Sequence, residues 1–307
     1  MKRILITGSN GLLGQKIVEI FSRSNYPMML ISLEEHSVFD EDSIPYRKVD
    51  TTHRQDVRKV IDEFEPDVII HTAAITNVDQ CETERGLAWQ VNVGSVENMV
   101  FAAKLVGAHV IHISTDYVYD GKKGPYSELD RPNPISYYGR TKLASENVLL
   151  TSGLPTTIVR TMVLYGLGHD IKLNFALWLL KNLQEGKQVK VVDDQIGNPT
   201  LADDLAFGIL KTTELEREGI YNIAGPDLVS RYDFAVVLAR IFNLNKKLIT
   251  PIKTDAIKQP APRPLKSGLI TLKSQVDLDL KMSGIDQGLT ILKNQINSKA
   301  RREHSSK

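Results

Sequence analysis

The chain has 307 residues, enough for one large domain or two modest ones. A formal net charge of +1 gives no global field to draw in nucleic acid or an anionic membrane, which excludes both as main partners. The single cysteine, Cys81, excludes an internal disulfide framework and suits the reducing cytoplasm, and no apolar run reaches the roughly eighteen residues of a membrane span.

Residues 3–7 form a short apolar run of buried-strand type, and Gly8-Ser9-Asn10-Gly11-Leu12-Leu13-Gly14 follows at once. Ile17, Val18, Ile20 and Phe21 then recur at helical spacing over 15–24. Strand, glycine loop and helix are the context a dinucleotide fingerprint requires. The loop makes a tight turn, lets backbone touch a pyrophosphate and aims a helix N-terminus at the anion. Gly8, Asn10, Gly11, Leu12, Leu13 and Gly14 are therefore candidate cofactor contacts. The spacing is G-x-x-G-x-x-G rather than G-x-G-x-x-G, and glycine loops also serve plain strand-to-helix turns.

A second apolar run, 27–33, ends near Ser32, Glu34 and Glu35, where an acidic residue would hold the ribose 2′-OH of NAD. A serine there would tolerate a 2′-phosphate, with Arg47 or Lys48 in reach. This tilts the reading toward NADP and leaves NAD open. Residues 46–49 read as a third strand ending at Asp50-Thr51, candidate adenine contacts. Thr52 is expected to cap a helix over 53–64, which Pro66 stops. Strand four, 67–71, delivers Thr72-Ala73-Ala74 to the strand end where ligands sit in open α/β sheets, and small side chains at Ala73 and Ala74 let a cofactor lie against backbone.

A long helical pattern covers 83–106 and includes the polar Asn92. Strand five, 108–113, carries His109 and His112, which face opposite sides and read as structural. It runs into Ser114-Thr115-Asp116-Tyr117-Val118-Tyr119-Asp120-Gly121, and the Thr115 hydroxyl is a candidate partner for a substrate carbonyl. After a Pro-rich connection, Ser136-Tyr137-Tyr138-Gly139-Arg140-Thr141-Lys142 opens a helix that places Tyr138 and Lys142 on one face. A lysine cation favours the phenolate and is expected to lower the tyrosine pKa from about 10, making Tyr138 a proton donor. The Tyr-Lys spacing is weak alone and gains its weight from Thr115 and the glycine loop. Strand six, 156–160, is expected at the sheet edge.

Beyond it, helices are expected over 174–183, 201–210 and 231–242, the last capped by Ser230, with strands over 189–192 and 219–223. Arg263 lies in the Pro-rich loop 260–264 and is a candidate for an anionic substrate. The expected architecture is α/β: a doubly wound parallel Rossmann sheet over 1–165, to which later segments return, a smaller α/β substrate-binding region over 166–298, and a disordered tail over 299–307.

These motifs together resemble the extended short-chain dehydrogenase/reductase family over about residues 1–295, and within it the dTDP-4-dehydrorhamnose reductase branch. The branch-level likeness rests on Ala73-Ala74-Ile75-Thr76-Asn77-Val78-Asp79 with Glu82, on 194–200, and on Arg263-Pro264 with Leu272-Lys273. The resemblance implies NADPH- or NADH-dependent reduction of the 4-keto group of a nucleotide-linked deoxy sugar, with reduction or epimerisation of another sugar nucleotide as the alternative. Tyr138 would be the acid, Lys142 would hold the nicotinamide ribose, and Thr115 would bind the carbonyl oxygen. Thr76, Val78, Asp116 and Tyr117 would lie near the sugar. Related dehydratases carry a glutamate where this chain has Tyr117, which favours reduction over elimination. Val163 stands where the branch carries a tryptophan over the sugar. The chain is also similar to the non-catalytic β subunit of methionine adenosyltransferase, whose role would be that of a cofactor-binding regulatory partner. Relatives are commonly homodimers, and some hold a divalent cation such as magnesium at the interface, but this sequence offers no clear ligand set.

Overall fold

A computed structural model describes the backbone of residues 1–305 and the side chains through Arg301. The apolar runs become the parallel strands β1 Ile4–Thr7, β2 Met28–Ser32, β3 Tyr46–Lys48, β4 Val68–His71, β5 His109–Thr115 and β6 Thr156–Thr161. A seventh, β7 Gly219–Asn222, returns from far along the chain and pairs with β6. The spatial order is β7-β6-β5-β4-β1-β2-β3. The order therefore reverses between β1 and β4, and the carboxyl ends of those two strands flank the crevice in which such sheets bind ligands.

Helix α1, Leu12–Ser22, packs Leu13, Ile17, Val18 and Phe21 onto one face of the sheet. On the other face lie α2, Arg54–Phe64, and α3, Ser95–Val106, with Leu149 of α4, Tyr137–Leu150. The C-terminal half adds α5 Phe175–Gln184, α6 Ala202–Glu214, α7 Arg231–Ile241 and α8 Ile285–Ser305. Of these, α6 joins α1 against the sheet through Leu205, Ala206, Ile209 and Leu210. The other three enclose a separate core around Leu179, Leu238 and Leu289, with the parallel strand pair Val189–Val192 and Ile249–Ile252 beside it.

Several expectations change. Strand β6 is interior rather than an edge, because β7 covers it, and all six of its residues are buried. Local periodicity identifies a strand but not a neighbour that arrives some sixty residues later. His53, not Thr52, sits at the N-cap position of α2 and makes no side-chain cap bond, and the Thr52 hydroxyl instead donates to Asp50 Oδ1 at 2.7 Å. The long helical pattern over 83–106 is interrupted: Arg85–Trp89 passes through one π turn, Gln90–Gly94, into α3. The turn accompanies a tie from Asn92, whose amide holds the Ile75 backbone at 2.8 and 3.1 Å and reaches Thr141 Oγ1 at 3.1 Å. Residues 299–305, read as tail, continue α8, while 306 and 307 lie outside the described residues. Among the described residues no helix is long and apolar enough to cross a membrane.

One buried ion pair locks α4 to the sheet. Glu146 accepts two bonds from Arg160 of β6, at 2.9 and 2.6 Å, and one from Ser114 of β5, while Arg160 also donates to the Tyr119 hydroxyl at 2.7 Å. Both charges are almost completely buried, with side-chain exposures of 2% and 1%. Removing one partner strands the other charge without water. Glu146→Ala is therefore expected to lower unfolding stability by about 3–5 kcal/mol in a urea titration. A loss below about 1 kcal/mol would mean that solvent reaches Arg160.

Candidate active site

The glycine loop connects β1 to α1 at the crevice. Gly8 has φ of +64°, and a β-carbon there would lie 2.9 Å from the Ala73 nitrogen, so loop and Ala73-Ala74 turn meet backbone to backbone. Helix α1 starts at Gly11 with no side-chain cap and no acidic residue in its first turn. Its leading N–H groups, including those of Leu12 and Leu13, lack a protein anion, which suits a pyrophosphate. Asn10 is used internally: its amide donates to the His36 carbonyl at 2.9 Å and accepts from the Val38 nitrogen at 3.2 Å. At the β3 end, Asp50 organises its own turn through Thr52, and the carbonyl of buried Thr51 is held by Asn98 at 3.1 Å. Lys48 is paired with Glu35 at 2.6 Å, Arg47 is paired with Glu63, and Ser32 donates to Glu34.

On the other side of the crevice, Ser136 caps α4 by accepting from the Gly139 nitrogen at 3.1 Å. A β-carbon on Gly139 would lie 2.1 Å from the Tyr117 carbonyl, so glycine alone lets α4 close onto the turn after β5. That approach brings Tyr138 edge-on to Tyr117, with ring centroids 5.5 Å apart, and sets Val78 beside both in one apolar cluster. Thr115 faces the Tyr138 phenol and draws its pKa down, but burial outweighs this and pushes the phenol above its ordinary value.

The downward shift expected for Tyr138 is therefore not found: burial sets the phenol above its ordinary value. Lys142 is 2% exposed, and its ammonium sits 3.0 Å from His112 Nε2. Burial pulls its pKa down to about 8, opposed by Glu146 one turn along α4. A lysine ammonium only donates, so His112 Nε2 is its acceptor, while the buried Nδ1 has no hydrogen-bond partner. His112 stacks on His71 at 5.5 Å, and His71 bonds Thr7 at 2.9 Å. His112 is thus a partner of the candidate catalytic lysine rather than only a structural residue. The signal was the two-residue period of β5, which puts His112 and Ser114 on the face that meets α4.

Thr115 donates to Asp116 Oδ1 at 3.0 Å and accepts from the Tyr117 nitrogen at 3.2 Å. Asp116 is 3% exposed, and burial raises its carboxyl to about 6 against bonds from Ser267 and Thr115. Burial also pushes the Tyr117 phenol up to about 12. These two residues wall a cleft with Val163, Gln195, Arg231 and Ser267. Arg263 is held nearby by Asp79 at 2.9 Å, whereas Thr76 is exposed on the loop before the short helix Val78–Thr83. Val163 adopts φ of +46°, a strained conformation for a β-branched residue.

Sequence reasoning missed Arg231. It is the first residue of α7, with its guanidinium over the Phe175 ring at 4.9 Å. A cation at a helix N-terminus opposes the helix dipole, and that conflict is the sequence signal. Among the described residues, no group of three or more His, Cys, Asp or Glu side chains is placed to hold a metal ion.

Residues 1–296 match the family model described as the RmlD substrate binding domain. The chain belongs to that family. A dTDP-4-dehydrorhamnose reductase from Aggregatibacter actinomycetemcomitans is 33% identical over 94% of this chain and 97% of its own. Methionine adenosyltransferase 2 subunit beta of Rattus norvegicus is 31% identical, over 87% of this chain and 80% of its own. The crystal structure of dTDP-4-dehydrorhamnose reductase from Bacillus anthracis str. Ames in complex with NADP superposes with a TM-score of 0.86 at 32% identity, covering 96% of this chain and 99% of that one. The resemblance drawn from the motifs is therefore borne out, as is the doubly wound α/β fold. In this RmlD-family chain, the side chains at the crevice follow from the same strand-end positions that the motifs marked.

The buried histidines give the fold a pH dependence. Burial depresses His71 to about 3, against an unfolded value of about 6.5. Between those values the unfolded chain binds a proton that the folded chain does not, so stability present above about pH 6.5 is lost as pH falls toward 3. His71→Asn should flatten the stability curve between about pH 4 and 6 by roughly 1.4 kcal/mol per pH unit relative to wild type. Equal slopes in chemical denaturation would show that His71 protonates inside the fold.

Proposed function

We propose that this protein reduces the 4-keto group of a nucleotide-linked deoxy sugar, using NADPH, or NADH in its place. The observation that carries the reading is the convergence of Thr115 and the Tyr138 phenol at the carboxyl end of the sheet, across the crevice from the glycine loop. A bound reduced nicotinamide dinucleotide would supply the hydride. The open N-terminus of α1 and the backbone contact between Gly8 and Ala73 fit its pyrophosphate. Likeness to a reductase solved with NADP supports the cofactor class.

The roles follow from chemistry. Tyr138, whose phenol is pushed up by burial, keeps its proton at neutral pH and gives it to the alkoxide as the carbonyl is reduced. Thr115 binds the carbonyl oxygen and orients it toward the phenol. Lys142, at about 8, remains mostly cationic near pH 7 and can donate to ribose hydroxyls, with His112 holding its position. Arg231 and Arg263 supply positive charge for the nucleotide diphosphate. Tyr117 stands where an elimination would need a carboxylate, which supports simple reduction. Val163 presents a small wall where a ring was expected, so the sugar is not stacked on an indole. A cytoplasmic homodimer completes the reading, on the strength of the family resemblance.

The test is oxidation of NADPH and NADH by the purified protein with dTDP-4-keto-6-deoxy-L-mannose. Tyr138→Phe should reduce kcat by about 100-fold or more while cofactor affinity stays within about twofold. Tight cofactor binding by the wild type with no turnover would instead favour a regulatory partner like the methionine adenosyltransferase β subunit.

A further inference from the structure

We propose that Asp116 is a positioning residue for this reduction: the proton it carries or lacks decides which way the Thr115 hydroxyl points, and so whether Thr115 can donate to the substrate's carbonyl oxygen. This inference rests on the reductase reading above. It begins with a hydrogen-bond count. A hydroxyl has one hydrogen, and an ionised carboxylate has none. With Asp116 ionised, the 3.0 Å contact between Thr115 Oγ1 and Asp116 Oδ1 must use the threonine's hydrogen. The backbone N–H of Tyr117 already occupies one Thr115 lone pair at 3.2 Å. Thr115 then offers the site only its second lone pair, which the Tyr138 phenol can fill and which faces a carbonyl oxygen as acceptor against acceptor.

A proton on Asp116 Oδ1 reverses the direction of that bond. Asp116 donates to Thr115, and the threonine hydrogen swings free toward the carbonyl oxygen. Asp116 Oδ2 still accepts from Ser267 at 2.5 Å, so the carboxyl group stays in place in both states. No covalent bond to carbon is involved, and Asp116 keeps its proton through the turnover. The alkoxide takes its proton from Tyr138.

The surroundings allow this switch near neutral pH. Asp116 is met by Thr115 from β5, by Tyr117 from its own turn, by Tyr138 from α4, by Arg231 from α7 and by Ser267 from the segment after Pro264, with Arg263 beyond Tyr117 and Arg231. Burial favours the neutral carboxyl, whereas the two hydroxyl bonds and Arg231 favour the anion, and the balance falls at about 6. Neither state is therefore strongly disfavoured in the working range.

The experiment follows kcat/KM for keto-sugar reduction from about pH 4.5 to 7, below the titration of Lys142, in the full chain. Wild type should lose about fivefold or more as pH rises through the Asp116 break, because the donating form is the protonated one. Asp116→Asn removes the titration, and its profile should be level over the same range. Ser267→Ala removes a bond that stabilises the anion, so its break should move to higher pH. A break that persists in Asp116→Asn, or that Ser267→Ala leaves unmoved, overturns the proposal. If Asp116→Asn fails to fold, the direction of the Ser267→Ala shift decides it alone. Wild type that binds cofactor and reduces nothing would sink the reductase reading, which is a different result from reduction with an unchanged pH profile.

Discussion

The site depends on how α4 seats two opposite charges against the sheet. Lys142 and Glu146 lie one turn apart on its buried face, and neither can reach water. Glu146 is neutralised by Arg160 and bonded by Ser114, which fixes α4 against β5 and β6 together. Lys142 has no carboxylate in hydrogen-bond contact and leans on the His112 ring. One charge is thus fully paired and anchors the helix, while the other is held by a neutral acceptor and keeps donor capacity for a ligand. A second carboxylate in place of His112 would hold the lysine more strongly but would spend the hydrogens that a ribose needs.

Burial then decides the protonation states along this seam. Simple proximity suggests that a lysine one turn from a tyrosine lowers its pKa. Here both groups are buried, and removal from water outweighs the help that Thr115 gives the phenolate and Glu146 gives the ammonium. The phenol stays protonated and the amine is pulled down. For a reductase this polarity is useful, because the acid must hold its proton until an alkoxide forms nearby. Desolvation also keeps His71 and His112 neutral, which prevents a cluster of like charges under the cofactor site.

Much of this was legible in the chain because each motif reports a local backbone requirement. The glycine loop from Gly8 marks a close approach, and Ser136 and Ser230 mark helix starts, whereas the approach at Gly139 shows only in the structure. Thr115, Tyr138 and Lys142 could be named because strand end and helix face have fixed periods. What escaped were features decided by partners distant in sequence. The interior place of β6 depends on a strand from the C-terminal half, and the π turn depends on an asparagine tying two other elements. The pairing of Lys142 with His112 required the register between β5 and α4, which neither element reveals alone.

The same separation explains the two halves of the cleft. The wall with Thr115 and Tyr138, the groups proposed to react, is built on the end of β5 and on the helix locked against the sheet. The opposite wall comes from the start of α7, where Arg231 opposes the helix dipole, and from the turn after β6, where Val163 takes a left-handed conformation that its branched side chain resists. Both conflicts lie on the cleft side, and neither is relieved by a more favourable local residue. A capping box at Ser230 and Asp233 holds the start of α7, and the Thr200 nitrogen holds the Val163 carbonyl at 3.1 Å. Stability is thus spent on placing a guanidinium and a small side chain in the cleft with Asp116 and Tyr117. On the proposed reading, those placements concern what the cleft holds, whereas Thr115 and Tyr138 concern what is done to it. A change of substrate could thus arise on the second wall without disturbing Thr115, Tyr138 or Lys142.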